Sequence, residues 1–262
     1  MNGRVVENNP GIGTITSRCV VLLISSIVAS LLGITCRSAY GEAECQQCHK
    51  ELTRKKIVHA AVKKGCSVCH SAIDAADIPH KKKNTITKGL AAEVPALCFQ
   101  CHDKKKFENT TIHPPVKDGM CLACHSPHNS DNGKLLQSAV PDLCFNCHDK
   151  TEFTKKNVHP PVMAGCFDCH AAHASKYTSL TVKAQTALCT ACHTAPEIKN
   201  GIHIMRGFAA PGHPVSGKTD PKRQGKRFSC ASCHQPHSSD FRKLVRYKND
   251  TPFEICISCH PK

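Results

Sequence analysis

The sequence has no tryptophan, only three tyrosines and nine phenylalanines among 262 residues. Aromatic side chains carry much of the buried area of ordinary cores, so a core of that kind is excluded. Regular apolar spacing is scarce as well. Beyond residue 40, neither a helical nor an alternating hydrophobic pattern persists. A chain of this length ordinarily makes one or two domains around apolar side chains. Here those side chains are too few and too scattered to do so unaided. Either the chain is disordered or something other than side chains fills its centre.

The one long apolar run lies at the start, from Cys19 to Cys36, preceded by Arg4 and Arg18. Ala39-Tyr40-Gly41 follows and offers a small-residue cleavage site before Glu42. Residues 1–41 therefore read as a secretory signal peptide. An uncleaved anchor is the alternative, since a run of this length can just span a bilayer. A lipid-modified Cys36 fits less well, because Thr35 stands where a smaller residue is usual. Cys19 and Cys36 depart with the signal and receive no role.

Cysteine and histidine are what the chain has in excess, 20 and 18 respectively. The other 18 cysteines all fall in one pattern, C-x-x-C-H, and no C-x-x-C lacks its histidine. The nine copies pair Cys45 with Cys48, Cys66 with Cys69, Cys98 with Cys101, Cys121 with Cys124 and Cys144 with Cys147. They continue with Cys166 and Cys169, Cys189 and Cys192, Cys230 and Cys233, and Cys256 and Cys259. The histidines that close them are His49, His70, His102, His125, His148, His170, His193, His234 and His260.

Residues i, i+3 and i+4 share one face of a helical turn. Two thiols placed so can add across the two vinyl groups of a haem, with the histidine beneath the iron. C-x-x-C-H is accordingly read as c-type haem attachment. Zinc ribbons pair their C-x-x-C units, and nine is odd. A disulfide framework gives no reason for the histidine. The expected cofactor is nine covalently bound haem c groups, which fits an exported chain.

Nine histidines lie outside the motifs: His59, His80, His113, His128, His159, His173, His203, His213 and His237. Nine irons need nine further axial ligands to be six-coordinate, so these are assigned as distal ligands. Their contexts repeat. His113-Pro-Pro-Val, His159-Pro-Pro-Val, His213-Pro-Val and His59-Ala-Ala-Val precede a motif. His128, His173 and His237 follow one by three residues, and His80 by ten. Proline beside the ligand fixes φ and discourages helix, which predicts a stiff extended segment. His128 is too close to His125 to reach the far face of the same haem, so it is expected to serve a different one. His203 has no repeat partner.

Longer repeats follow from these contexts. A leading motif (45–49) precedes four doubled units, 59–102, 113–148, 159–193 and 212–260, and together they make one domain over 42–262. Repeats of such length predict an elongated array stacked neighbour on neighbour. H-P-P-V before a motif, C-H-x-P-H after it and L-C-x-x-C-H closing each pair resemble the doubled C-x-x-C-H family of multihaem cytochromes c. That resemblance implies bis-histidine electron-transfer proteins of the kind found in metal-reducing bacteria. His59-Ala-Ala lacks the prolines, and insertions before His80 and Cys230 lengthen two units. The fold class expected is mostly irregular with short α-helices, its core made of stacked haems.

The formal charge is +15, and loss of residues 1–41 removes three arginines and one glutamate to leave +13. Basic chains invite a nucleic-acid reading, but haem propionates would offset much of this charge. With no aromatic interleaving in an exported chain, nucleic acid is excluded as a partner.

The function expected is electron transfer along low-potential haems, since it is Met/His ligation that raises the potential. Met120, Met163 and Met205 are the available substitutes, and none sits at a repeating position. The resemblance implies redox partners: inner-membrane quinol-oxidising cytochromes, other periplasmic or outer-membrane cytochromes, and a porin–cytochrome complex. The location expected is periplasmic, with the outer membrane or exterior as alternatives. No catalytic residue is assigned. A nitrite- or hydroxylamine-type reductase would need one open iron, which His203 would leave if it were not a ligand; no C-x-x-C-K is present. A filament-forming oligomer is the other alternative, since motifs lie near both ends of the chain.

Because metal attachment and folding couple in domains of this kind, the chain produced without haem attachment is expected to be largely unfolded. Far-UV circular dichroism of the haem-free polypeptide checks this, and a native-like spectrum with slow amide exchange would contradict it.

Overall fold

The computed structural model describes residues 42–203, 212–248, 250–251 and 253–260. The segment read as a signal peptide or anchor lies outside the described residues, as does Met205. No described helix is long and apolar enough to cross a membrane.

The architecture is mostly irregular, with short helices and small sheets. The longest described helix is Glu42–Cys48. Other α-helices span four or five residues and the 3-10 turns three or four. The sequence expectation for the H-P-P segments needs one correction. His113 and His159 are themselves extended (φ −61° and −69°), but the prolines open helices, Pro114–Lys117 and Pro160–Ala164. A proline at the first helical position loses no hydrogen bond, and its φ is already helical. The stiff segment is thus a histidine held at a helix N-cap. Glycines end two such helices in conformations other residues resist, Gly65 at φ 124° and Gly165 at φ 143°.

Ten two-residue strands are described: β1 Ile57–Val58, β2 Ile73–Asp74, β3 Lys81–Lys82, β4 Thr111–Ile112, β5 Asn129–Ser130, β6 Asn157–Val158, β7 Ala174–Ser175, β8 Ile202–His203, β9 His213–Pro214 and β10 Ser238–Ser239. They pair as five antiparallel sheets, β1–β5, β2–β3, β4–β7, β6–β10 and β8–β9. Three of these join one doubled unit to the next. β1 lies before the first motif of its unit, and its partner β5 lies after the first motif of the following unit. β4 with β7 and β6 with β10 repeat the arrangement. Isolated two-stranded sheets are marginal in water, so these need support from elsewhere.

Part of that support is polar. Ser130, Ser175 and Ser239 stand at matching positions after the first motifs of successive units and are nearly fully buried. Each hydroxyl donates to a backbone carbonyl six residues on: Ser130 to Leu136, Ser175 to Thr181 (2.5 Å) and Ser239 to Val245 (2.6 Å). By contrast, Val215, Ala231 and Val245 are the buried apolar residues among those described. Such a set cannot anchor over 200 residues through the hydrophobic effect, which scales with buried apolar area.

A further polar feature lies in the last unit. There Asp220 accepts hydrogen bonds from the amides of Lys222 and Arg223 (both 2.9 Å) and from Arg223 Nε (2.6 Å). The Arg223 guanidinium continues to Ser232 Oγ at 3.2 Å. Ser232 and Ser229 form a capping box on the helix Cys230–Cys233. The loop 216–228 is thereby tied to a C-x-x-C-H turn. Burial alone would raise the Asp220 pKa, but hydrogen bonds from Ser232, Arg223 and the two amides outweigh it and hold it near about 2.

A depressed folded-state pKa stabilises above the ordinary carboxylate range and loses its effect as pH falls through the folded value. Asp220→Asn is therefore expected to cost this unit about 2 kcal/mol at pH 7. The difference from the unsubstituted protein should shrink as pH falls from about 4 towards 2. Hydrogen exchange at the Lys222 and Arg223 amides, followed against pH, measures it; a difference independent of pH would contradict it.

Candidate haem-ligating sites

Each C-x-x-C-H is one helical turn. The amide of every motif histidine donates to the carbonyl of its first cysteine, from His49 to Cys45 (3.0 Å) through His260 to Cys256 (2.8 Å), and none of the nine exceeds 3.1 Å. That bond places both thiols and the imidazole on one side of the turn. None of the eighteen motif cysteines is in a disulfide. Four motifs also present an exposed or half-exposed apolar side chain between their cysteines: Val68, Leu122, Phe167 and Ile257.

The motif histidines do not stand alone. His70 faces His128 with ring centroids 6.1 Å apart, His125 faces His173 at 5.9 Å and His170 faces His237 at 5.9 Å. His102 faces His59 at 6.1 Å, His148 faces His113 at 6.1 Å and His193 faces His159 at 6.2 Å. At the ends, His49 faces His80 at 6.1 Å, His234 faces His203 at 6.1 Å and His260 faces His213 at 6.3 Å. Every motif histidine thus meets one histidine from outside the motifs, and no ring is shared.

Two rules govern the pairing. The histidine that opens a doubled unit faces the second motif of that same unit. The histidine three residues after a motif faces the first motif of the preceding unit, so His128 meets His70 rather than His125. The sheets between units bring this about. The His59 amide donates to the His128 carbonyl (2.8 Å), His113 to His173 (2.9 Å) and His159 to His237 (2.9 Å). Each sheet therefore delivers two rings, one to each motif of one unit. The unit 212–260 is arranged differently. There β8 and β9 pair His203 directly with His213 and deliver the same two rings.

A first-row metal–imidazole bond is about 2 Å long. Two rings bound through Nε2 to opposite faces of one metal would have centroids roughly 6 Å apart, so the spacing suits a shared iron. Among the described residues, no group of three or more His, Cys, Asp or Glu side chains is arranged to hold a metal ion. The donor set is two imidazoles flanked by two thiols, which suits haem c and does not suit a zinc ribbon. Burial, then neighbouring histidines, pushes His128, His173 and His237 below the ordinary imidazole range. They are neutral at pH 7, the form with a free lone pair.

Nδ1 partners orient the rings. His59, His113 and His159 each direct Nδ1 at the carbonyl of Pro127 (2.9 Å), Ala172 (3.1 Å) and Pro236 (3.0 Å), just before the neighbouring unit's own histidine. His80 uses Asp77 (2.7 Å) and His213 uses Pro214 (2.8 Å). Phe107 packs on His173 (4.9 Å) and Phe153 on His237 (4.5 Å). Both belong to an unremarked repeat, Asp103-Lys-Lys-Lys-Phe107 and Asp149-Lys-Thr-Glu-Phe153. The Asp carboxylates cap the turns by accepting from Lys105 and Thr151 amides. Sequence reading passed over these residues, although their recurrence after two C-x-x-C-H motifs was there to find.

Successive motifs are spatial neighbours in chain order. Within each doubled unit the second cysteines approach. After burial, Cys101 raises the pKa of Cys69 and Cys147 that of Cys124. Cys192 contributes at Cys169 behind burial and Asp168, and Cys259 at Cys233 behind burial. Between units the first cysteines meet. Burial and then Cys121 raise Cys98, and burial and then Cys166 push Cys144 up to about 11. A hydrogen bond between Cys189 and Cys230 raises the former and lowers the latter.

The doubled CXXCH motif family model matches residues 59–107, 113–153, 159–197 and 220–262, more than half of the chain. None of the curated proteins matches it. Four consecutive matches, each spanning two attachment turns, place this chain in the doubled CXXCH motif family and make it a multihaem c-type cytochrome, a protein of electron transfer.

Proposed function

We propose that the chain carries nine haem c groups, one on each C-x-x-C-H turn, and that each iron is ligated by a motif histidine and the histidine facing it. The single observation that carries this is the constancy of the nine ring separations, 5.9 to 6.3 Å, while the interplanar angles run from 14° to 70°. Aromatic contact would link distance to angle. A shared metal holds the distance and leaves the angle free.

Haem supplies a reversible one-electron change at iron. The chain's residues do the rest. The cysteines would hold the macrocycle, and the paired imidazoles would ligate its iron and leave no site on it for substrate. The Nδ1 bonds would fix the ring orientation and the tautomer whose Nε2 lone pair is left for the iron. Chain-order adjacency of the motifs supports a single-file path from the leading motif (45–49) to the last (256–260). His203 at 6.1 Å from His234 favours a filled last unit over an open reductase site.

The role proposed is transfer of electrons from inner-membrane quinol oxidation towards an outer-membrane or extracellular acceptor, in an exported protein. Lys218, Lys222, Lys226 and Arg227 are exposed and line a cleft of about 490 Å³ on the loop of the last unit. A basic cleft there suits an acidic redox partner.

Low-temperature EPR of the oxidised, haem-loaded protein tests the ligation. The unsubstituted protein should be wholly low-spin. His128→Ala and His203→Ala should each convert about one iron in nine to high-spin, at different sites. Spectra that stay fully low-spin in both variants would refute the pairing.

A further inference from the structure

Four dipeptides have both residues in the left-handed region. They are Lys88-Gly89 (φ 59° and 60°), Lys134-Leu135 (58° and 58°), Ser179-Leu180 (56° and 56°) and Lys243-Leu244 (56° and 56°). Positive φ is uncommon outside glycine, and a bulky residue there is a true outlier. Seven of these eight residues are not glycine. Such strain persists only where the surroundings over-determine it, and its recurrence points towards function.

The surroundings do over-determine it. In each doubled unit the dipeptide lies against the turn of the first motif. The carbonyl of its first residue meets Nδ1 of the motif histidine: Lys88 with His70 (3.0 Å), Lys134 with His125 (2.9 Å), Ser179 with His170 (2.9 Å) and Lys243 with His234 (2.9 Å). The carbonyl of the second residue accepts the amide just past that histidine. Leu135 takes Ser126 (2.8 Å), Leu180 takes Ala171 (2.7 Å) and Leu244 takes Gln235 (2.7 Å). Two residues beyond each Leu, an amide donates back to the second cysteine's carbonyl, as Val182 does to Cys169 (3.0 Å). An ordinary turn would rotate the first carbonyl away from the ring.

We infer that these four left-handed dipeptides are positioning elements that aim a backbone carbonyl at the ligating ring of each first motif. They thereby fix its tautomer and hold the potential of that site low. The inference rests on the axial pairing proposed above. A carbonyl accepting from Nδ1–H makes Nε2 a stronger donor, which favours the ferric state. The acceptor is a main-chain atom, so no side-chain pattern announces it. Lys, Ser and Leu there are chosen neither for charge nor for turn propensity.

The test compares Ser179→Val with Ser179→Gly in the full, haem-loaded chain, by potentiometric titration followed by EPR, with intact mass confirming haem on Cys166 and Cys169. A β-branched residue resists positive φ, and glycine accepts it freely. The valine variant should move one low-spin signal and shift its midpoint to more positive potential, with the other eight unmoved. The glycine variant should keep every midpoint and unfold at no lower temperature. If valine prevents accumulation, Ser179→Ala against Ser179→Asn asks the same question more gently: a smaller positive shift for alanine, none for asparagine. Unmoved midpoints in the valine and alanine variants, or equal shifts in the glycine variant, overturn the inference. A high-spin or absent haem at this site in the unsubstituted protein would instead bring down the axial pairing itself.

Discussion

Two imidazoles held roughly 6 Å apart are the constraint on which the rest of this protein depends. At that distance the rings give each other little direct support, yet the fold reproduces the spacing nine times. Helices of one or two turns and strands of two residues do not persist alone. Nor do the described residues form a hydrophobic core to hold them, with Val215, Ala231 and Val245 the buried apolar ones. What remains is a scaffold whose short elements each place a ligand, and whose stability in the proposed reading comes from what the ligands hold.

The inter-unit sheets make the repeats interdependent. Ordinary repeat proteins are coupled by packing between neighbours. Here a unit's first motif also receives its facing histidine from the next unit, as His70 does from His128. In the unit 212–260 sheet β8–β9 supplies the facing histidine instead, with His203 set against His234. The oddity of His203 in the sequence, a histidine in no repeated context, reflects that different route. At the opposite end the leading motif is served by His80, which the longer segment before it carries back to His49.

Polar contacts set the fine geometry. Backbone carbonyls receive Nδ1 from one ring of each pair, buried serines staple the loops, and Asp220 holds the loop of the last unit. These bonds lie in partly buried surroundings, where an unmade one is expensive. That explains how strained residues such as Leu180 are kept in a left-handed turn.

The sequence by itself determined the chemistry. Thiols and imidazole at i, i+3 and i+4 can share a face only on a helical turn, and the nine turns do so. It also determined that side chains could not form the core, because the apolar residues were too few. The repeats, the family and the equal numbers of motif and non-motif histidines were legible for the same reason: each is written in local spacing. Partner identity is not local. That His128 meets His70, that prolines 114 and 160 open helices behind their histidines, and that Phe107 and Phe153 brace rings 66 and 84 residues further on depended on the tertiary structure. Two-residue strands carry no periodicity to read, and main-chain carbonyls carry no residue type. Only the folded chain, pairing strands between units, decides which ring faces which.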